Sequence, residues 1–247
     1  MKKQMLIISI VTVSTILFSC SKEQLEMPKD EQAINEEMVA PPAKPTSDLS
    51  LNLEGCYEFN NSLEDKTNKL GTLYSSASRL QYGPDRNGTP NSSIVFQGNH
   101  YLQVSAVPRT SNSSVSVWIK YNTVNGAGIL TGSVARLSQQ NGTIVGATND
   151  NIGVVAEYYY KMRPDNAWHH IVIAADPLAS KFYLDGKLVK TVSSPLNTNG
   201  FSDYFIGSSG VVGFWNGSMD DLRFYSRTLT ATDVKALFAA TSDSSVQ

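Results

Sequence analysis

Two adjacent acid pairs, Glu64-Asp65 and Asp220-Asp221, are the first residues of the 247-residue chain to invite a chemical reading. Glycoside hydrolysis by a retaining mechanism needs two carboxylates about 5 Å apart on one substrate. Neighbours along a strand point to opposite faces, so neither pair is expected to share a substrate, and no Glu-x-Asp-x-Glu run lines one face with acids. Single acids such as Glu157 have no spacing that draws them together. Nucleophilic catalysis fares no better, since the only histidines are His100, His169 and His170 and there is no Gly-x-Ser-x-Gly elbow. His169 and His170 would face opposite ways on a strand, and zinc needs further ligands, so both are read as structural. The expectation is a protein without catalysis.

Binding chemistry is better represented. A pyranose offers C–H patches to a flat aromatic face and hydroxyls to amides, hydroxyls or carboxylates. The candidates are Tyr158, Tyr159, Tyr160 and Trp215, the last beside an expected Asn216-Gly217 turn. Period-two alternation places Ala156, Tyr158 and Tyr160 on one face and Val155, Glu157 and Tyr159 on the other, which Glu157 marks as the wetter. The same alternation puts Asp220 with Leu222 and Phe224, and Asp221 with Arg223. A carboxylate on an apolar face must be paired, hydrogen-bonded or metal-bound, with backbone amides or Arg227 as partners if no ion is present. The segment Asn60-Asn61-Ser62-Leu63-Glu64-Asp65 offers the hard oxygens that Ca²⁺ prefers, making Asp65 and Asp220 the candidate metal ligands.

Strands must position these groups. Short β-branched and aromatic runs alternate with turn signals, among them Asn87-Gly88, Asn141-Gly142, Asp185-Gly186 and Asn199-Gly200. The expected strands are 55–59, 94–96, 101–104, 115–121, 143–147, 153–160, 169–174, 181–184, 187–192, 204–206 and 218–225. Asp185-Gly186 is expected to close a type I′ hairpin. So many strands require two packed sheets or a barrel. One helix is expected near the end, where Thr230 to Asp233 fits a capping box and Val234, Leu237 and Phe238 form an i, i+3, i+4 stripe.

The 20 basic and 22 acidic residues leave no basic field to gather nucleic acid or anionic lipid. Cys20 and Cys56 are too few for a disulfide scaffold. Residues 1–19, with Lys2 and Lys3 before an apolar run, read as a signal peptide too short to span a bilayer well. Leu17-Phe18-Ser19-Cys20 resembles the lipobox of bacterial lipoproteins, which implies acylation of Cys20, as with palmitate, and a lipid anchor in the cell envelope, in the outer membrane where the cell has one. Residues 20–49, acidic and ending in prolines, read as a disordered linker; 50–240 form the domain and 241–247 a flexible tail.

Six ordered runs then carry a resemblance: Gly55–Asn60, Ile94–Val104, Ser114–Lys120, Trp168–Ile173, the Asp185-Gly186 hairpin and Phe214–Leu229. Together they resemble the laminin-G-like, concanavalin A-like jelly roll. That resemblance implies an all-β, two-sheet antiparallel sandwich with a short C-terminal helix. It also implies a structural calcium near the acid of the last strand, here Asp220. Lectins, glucanases and adhesive modules share the fold. The expected function is envelope-anchored, non-catalytic carbohydrate binding in polysaccharide capture, with a glycan or glycan-bearing surface as partner and the membrane met only through the anchor. The alternatives are an adhesive or structural envelope protein that binds another protein and, third, a β-glucanase-like hydrolase.

Overall fold

The computed structural model describes residues 47–124, 126–149, 154–193 and 198–240. The leader, Cys20 and all but the end of the linker lie outside the described residues, as does the 241–247 tail. Fifteen strands and one helix are found among them. In chain order the strands are β1 (Leu53–Tyr57), β2 (Tyr74–Ser75), β3 (Gln81–Gly83), β4 (Ser93–Gln97), β5 (Leu102–Arg109), β6 (Ser113–Lys120), β7 (Ala127–Thr131) and β8 (Ala135–Gln140). They continue with β9 (Thr143–Asn149), β10 (Val154–Tyr160), β11 (Trp168–Ala175), β12 (Ala179–Leu184), β13 (Lys187–Ser193), β14 (Gly200–Ile206) and β15 (Asn216–Tyr225), and the helix is α1 (Ala231–Ala239).

All strand pairs are antiparallel, in two sheets. One sheet runs β13-β12-β11-β6-β15-β4-β3, with β1 also paired to β15; the other runs β10-β9-β8-β7-β14-β5-β2. The ten residues of β15 hold β6 along one side, while β4 and β1 share the other. The expected two-sheet jelly-roll sandwich is what the chain adopts.

The alternation of each strand divides its side chains between two cores. Between the sheets pack Phe96, Ile119, Ile171, Ile173, Phe182, Leu222 and Phe224. Their alternate neighbours Val172, Ala174, Tyr183 and Tyr225, with the free thiol of Cys56, lie on the outer face of the eight-stranded sheet beneath Val234 and Leu237 of α1. The helix begins as its sequence dictates: Thr230 accepts from the Asp233 amide, and the Asp233 carboxylate accepts from the Thr230 amide. Phe238, partly exposed, stacks on Trp118 with ring centroids 5.5 Å apart. Trp118 is thus buried under the helix and not between the sheets.

Turn chemistry holds where glycine is needed for a positive φ. Asn141-Gly142 and Asp185-Gly186 both have two successive left-handed residues, as type I′ turns require. Asn216-Gly217 departs from expectation, because it lies inside β15. Gly217 is demanded by packing: a Cβ there would come within 2.3 Å of the Trp215 indole. At one edge of the eight-stranded sheet, β13 keeps almost all of its side chains exposed.

Candidate carbohydrate-binding face

The outer face of the seven-stranded sheet is built from one continuous cross-strand row. Tyr74 pairs with Gln103, Gln103 with Phe205, Phe205 with Thr131, Thr131 with Arg136, Arg136 with Ala147 and Ala147 with Glu157. Residues paired directly across antiparallel strands share a face, so this register sets seven side chains side by side. At the β10 end of the row Arg136 and Glu157 form an ion pair at 3.5 Å across Ala147, whose small side chain lies fully covered between them. Both ends of that pair keep about a third of their side-chain surface exposed. The next row aligns Ser138, Val145 and Tyr159. Tyr159 is 53% exposed, and its hydroxyl is raised above the usual phenol pKa, chiefly by its hydrogen bond to Glu157.

A wall rises beside these rows. The segment 207–215 folds back over β7, with Thr131 Oγ1 donating to the Ser208 carbonyl at 2.9 Å and the Gly128 amide to the Gly213 carbonyl. Gly128 permits this approach, since a Cβ there would meet Ser208 backbone at 2.3 Å. Between wall and sheet lies a cavity of about 330 Å³ lined by Thr131, Arg136, Ser138, Gln140 and Ser209. Further along, Tyr101 packs edge-on to Phe205 at 5.4 Å and parallel to Phe214 at 6.5 Å, and Tyr74 is 59% exposed. The face therefore pairs flat aromatic surface with a half-exposed cation, a carboxylate and hydroxyls.

Of the four aromatic residues expected to bind sugar, only Tyr159 belongs to this face. Tyr160 is fully buried between the sheets, edge-on to Tyr158 and Phe182, and burial raises its hydroxyl pKa well above the usual phenol value. Tyr158 is half-buried on that same inner side. Trp215 is also fully buried, packed on Phe96 at 5.7 Å and over Gly217, so it presents no ring to a ligand. Arg136, Ser138, Phe205, Tyr74 and Tyr101 were missed. Their signal was modest: β8 has no β-branched residue, but Asn141-Gly142 immediately before β9 calls for a hairpin partner on its other side.

The acids expected to hold calcium have other partners. Asp65 accepts from the amides of Cys56, Thr67, Lys69 and Leu70 and from the Thr67 hydroxyl, all at 2.7–3.0 Å. Burial alone would raise its pKa, but these donors together hold it below the ordinary value. Five donors aimed at one carboxylate are the opposite of a cation site, and Asp65 does not fit calcium.

Asp220 is held by Arg86 at 2.7 Å, and Arg86 also reaches Asp221 at 2.7 Å. This corrects two expectations. Asp221 is left-handed, with φ 46°, and the register of β15 against β6 slips there. The bulge turns both acids toward one guanidinium and moves Asp220 off the face of Leu222 and Phe224. The partner is Arg86, while Arg227 pairs with Asp233 at 2.7 Å. Arg223 lies 3.5 Å from Asp221. No group of three or more His, Cys, Asp or Glu suited to a metal occurs among the described residues.

The histidine pair is structural by its contacts. His169 lies between Asp185 at 3.0 Å and Asp165 at 3.2 Å, with its pKa raised first by the hydrogen bond to Asp185. His170 bonds Ser116 at 2.8 Å, and burial lowers its pKa to about 3.

A two-sheet sandwich with one helix on an outer face and a polar, aromatic strip on the other defines a lectin-like scaffold. The chain belongs to the concanavalin A-like lectin/glucanases superfamily, whose family model matches residues 96–235. Among solved structures it is similar to domain 4 of a GH43 extracellular arabinanase from Geobacillus stearothermophilus in complex with arabinotriose. The two share 20% identity and a TM-score of 0.62 over 75% of this chain and 98% of that one. The ligand binding domain of botulinum neurotoxin serotype D, solved with N-acetylneuraminic acid, is similar at 17% identity and TM-score 0.61, over 76% of this chain and 50% of that one. The binding domain of Paraclostridial Mosquitocidal Protein 1 is similar at 16% identity and TM-score 0.59, over 76% and 52%. No curated protein matches the sequence.

Proposed function

We propose that this protein is a non-catalytic carbohydrate-binding module that takes a sugar on the outer face of the seven-stranded sheet. The observation that carries the reading is the row itself: Arg136 and Glu157 supply hydrogen-bonding groups beside the exposed ring of Tyr159, with a cavity of about 330 Å³ alongside. Glu157 is the one carboxylate in the two rows and is paired to Arg136, an arrangement that suits holding hydroxyls better than two-carboxylate hydrolysis. Similar folds solved with arabinotriose and N-acetylneuraminic acid support the ligand class.

A glycan array probed with the purified full-length protein is the test. Binding is expected to weaken about tenfold in both Tyr159→Ala and Arg136→Ala, with melting temperatures within a few degrees of wild type. Binding untouched by both changes refutes this face. Silence on the array alongside a specific protein partner favours the adhesive alternative, and release of reducing ends abolished by Glu157→Gln favours the hydrolase.

The leader supports a further part of the proposal, that Cys20 is acylated and tethers the domain to the cell envelope through its linker. Mass spectrometry of the N-terminal peptide is expected to show lipid on Cys20, and Cys20→Ala to leave the membrane fraction. An unmodified N-terminus at another residue would exclude the anchor.

A further inference from the structure

A second polar cavity lies apart from the Arg136–Glu157 pair, between the 76–80 loop, β3, the end of β4 and the turn before β5. It measures about 490 Å³ and is lined by Arg79, Leu80, Gln81, Gln97, Asn99 and His100 among others. The candidate sugar-binding face uses none of these six.

Each group in it has unspent bonding capacity. Gln97 Nε2 donates to Gln81 Oε1 at 2.6 Å, which fixes both amides and leaves Gln81 Nε2 as a donor beside Gln97 Oε1 as an acceptor. A donor next to an acceptor matches two neighbouring hydroxyls of one sugar ring. His100 is 5% exposed, stacked on Phe96 at 5.2 Å, with Nδ1 2.9 Å from Asn99 Oδ1. An amide oxygen only accepts, so Nδ1 carries the proton and Nε2 presents a bare lone pair. That Nε2 is buried and has no hydrogen-bond partner among the described residues, while the His100 ring contributes to the cavity lining. Burial also lowers the His100 pKa, which keeps the ring neutral and Nε2 an acceptor. Arg79 is exposed at the rim with no carboxylate paired to it among the described residues. Its planar fork is the group best shaped to take a carboxylate with two parallel bonds. Leu80, packed against the core, offers apolar surface for ring C–H groups.

We propose that this cavity is a second binding site, selective for an acidic sugar of the uronic acid class. Arg79 binds the carboxylate, Gln81 and Gln97 bind two adjacent hydroxyls, and the His100 ring beside Asn99 closes the inner end of the cavity. The site stands whether or not the Tyr159 face binds sugar.

The test is an NMR titration of the full-length protein with sodium D-glucuronate and, in parallel, methyl β-D-glucopyranoside. Glucuronate is expected to shift the His100 imidazole and the Gln81 and Gln97 side-chain amide signals, with a Kd in the millimolar range, and the neutral glucoside to bind at least about tenfold more weakly there. Arg79→Gln, a surface change, should raise the glucuronate Kd about tenfold and leave the melting temperature and the array profile of the Tyr159 face unchanged. Tyr159→Ala should leave glucuronate binding at the cavity intact, so the failure of either site is read separately. The proposal is overturned if tens of millimolar glucuronate leaves His100, Gln81 and Gln97 unshifted, if the glucoside binds as tightly, or if Arg79→Gln leaves the Kd unchanged.

Discussion

Arg86→Met is expected to lower the melting temperature by roughly 6–20 °C, because removing one partner of a buried ion pair costs about 3–5 kcal/mol and each kcal/mol moves a domain of this size by roughly 2–4 °C. The Arg86 side chain is 5% exposed, and its guanidinium serves Asp220, Asp221 and the Ala240 carbonyl at the end of α1 while lying 4.8 Å over Trp118. Methionine would keep the contact with Trp118 and strand the acids. Arg86 and Arg223 pair with Asp220 and Asp221, and Asp85 adds a third negative charge close enough to act on Asp220, so the cluster has more carboxylates than cations. Burial first, then the charge of Asp221, pushes Asp220 up to about 8, and Arg86 offsets only part of this. With its folded pKa raised above the ordinary 3.8, Asp220 binds more protons folded than unfolded between those values. Its contribution to stability is therefore full below about pH 4 and is lost as pH rises through about 8. Urea denaturation of wild type and Asp220→Asn at pH 5 and pH 8 isolates this group from the other carboxylates. The advantage of wild type over the asparagine variant should shrink with rising pH. A flat difference, or an Arg86→Met melt within a few degrees of wild type, would show that the cluster does not hold the helix side of the sheet.

Trp215→Ala is expected to cost about 3–5 kcal/mol, the range for emptying an aromatic site in a packed core. The indole is fully buried against Phe96 and occupies the space that Gly217 leaves open. Chemical denaturation measures the loss. Any fall in glycan binding should then track the unfolded fraction, and at low temperature the folded fraction should bind with wild-type affinity. A well-folded Trp215→Ala protein that has lost binding would return this tryptophan to the ligand. Tyr159→Ala is the mirror case, losing affinity while keeping its melt.

The architecture was legible because its signals are local. Asp185-Gly186 demands two left-handed residues, Thr230 and Asp233 cap a helix whichever partner it finds, and alternation in β10 separates Tyr159 from Tyr158 and Tyr160 without reference to any other strand. The site was legible only in part, because it arises from register. Nothing within Ala135–Gln140 says that Arg136 will stand opposite Ala147 and reach Glu157, two strands away. The Asp220–Asp221 pair was misread for a related reason. Period-two reasoning assumes an unbroken strand, and one aspartate at φ 46° breaks it, bringing to a single arginine two carboxylates that alternation would send apart. Trp215 was misplaced because Asn-Gly reads as a turn, whereas here the glycine makes room for the ring.

The exposed strand β13 bears on what happens when copies of the domain meet at high concentration. An open sheet ends in unpaired backbone amides and carbonyls, and a second copy arriving edge-on could extend the ladder. Along β13, Leu188 and Val189 are exposed and would favour that zipper, but Lys187 and Lys190 flank them. Antiparallel pairing of two such strands would bring like charges close and desolvate them. At the far edge, β3 is three residues long and runs into Pro84, too short to serve as a template. The eight-stranded sheet thus carries at both of its edges a guard against edge-to-edge polymerisation.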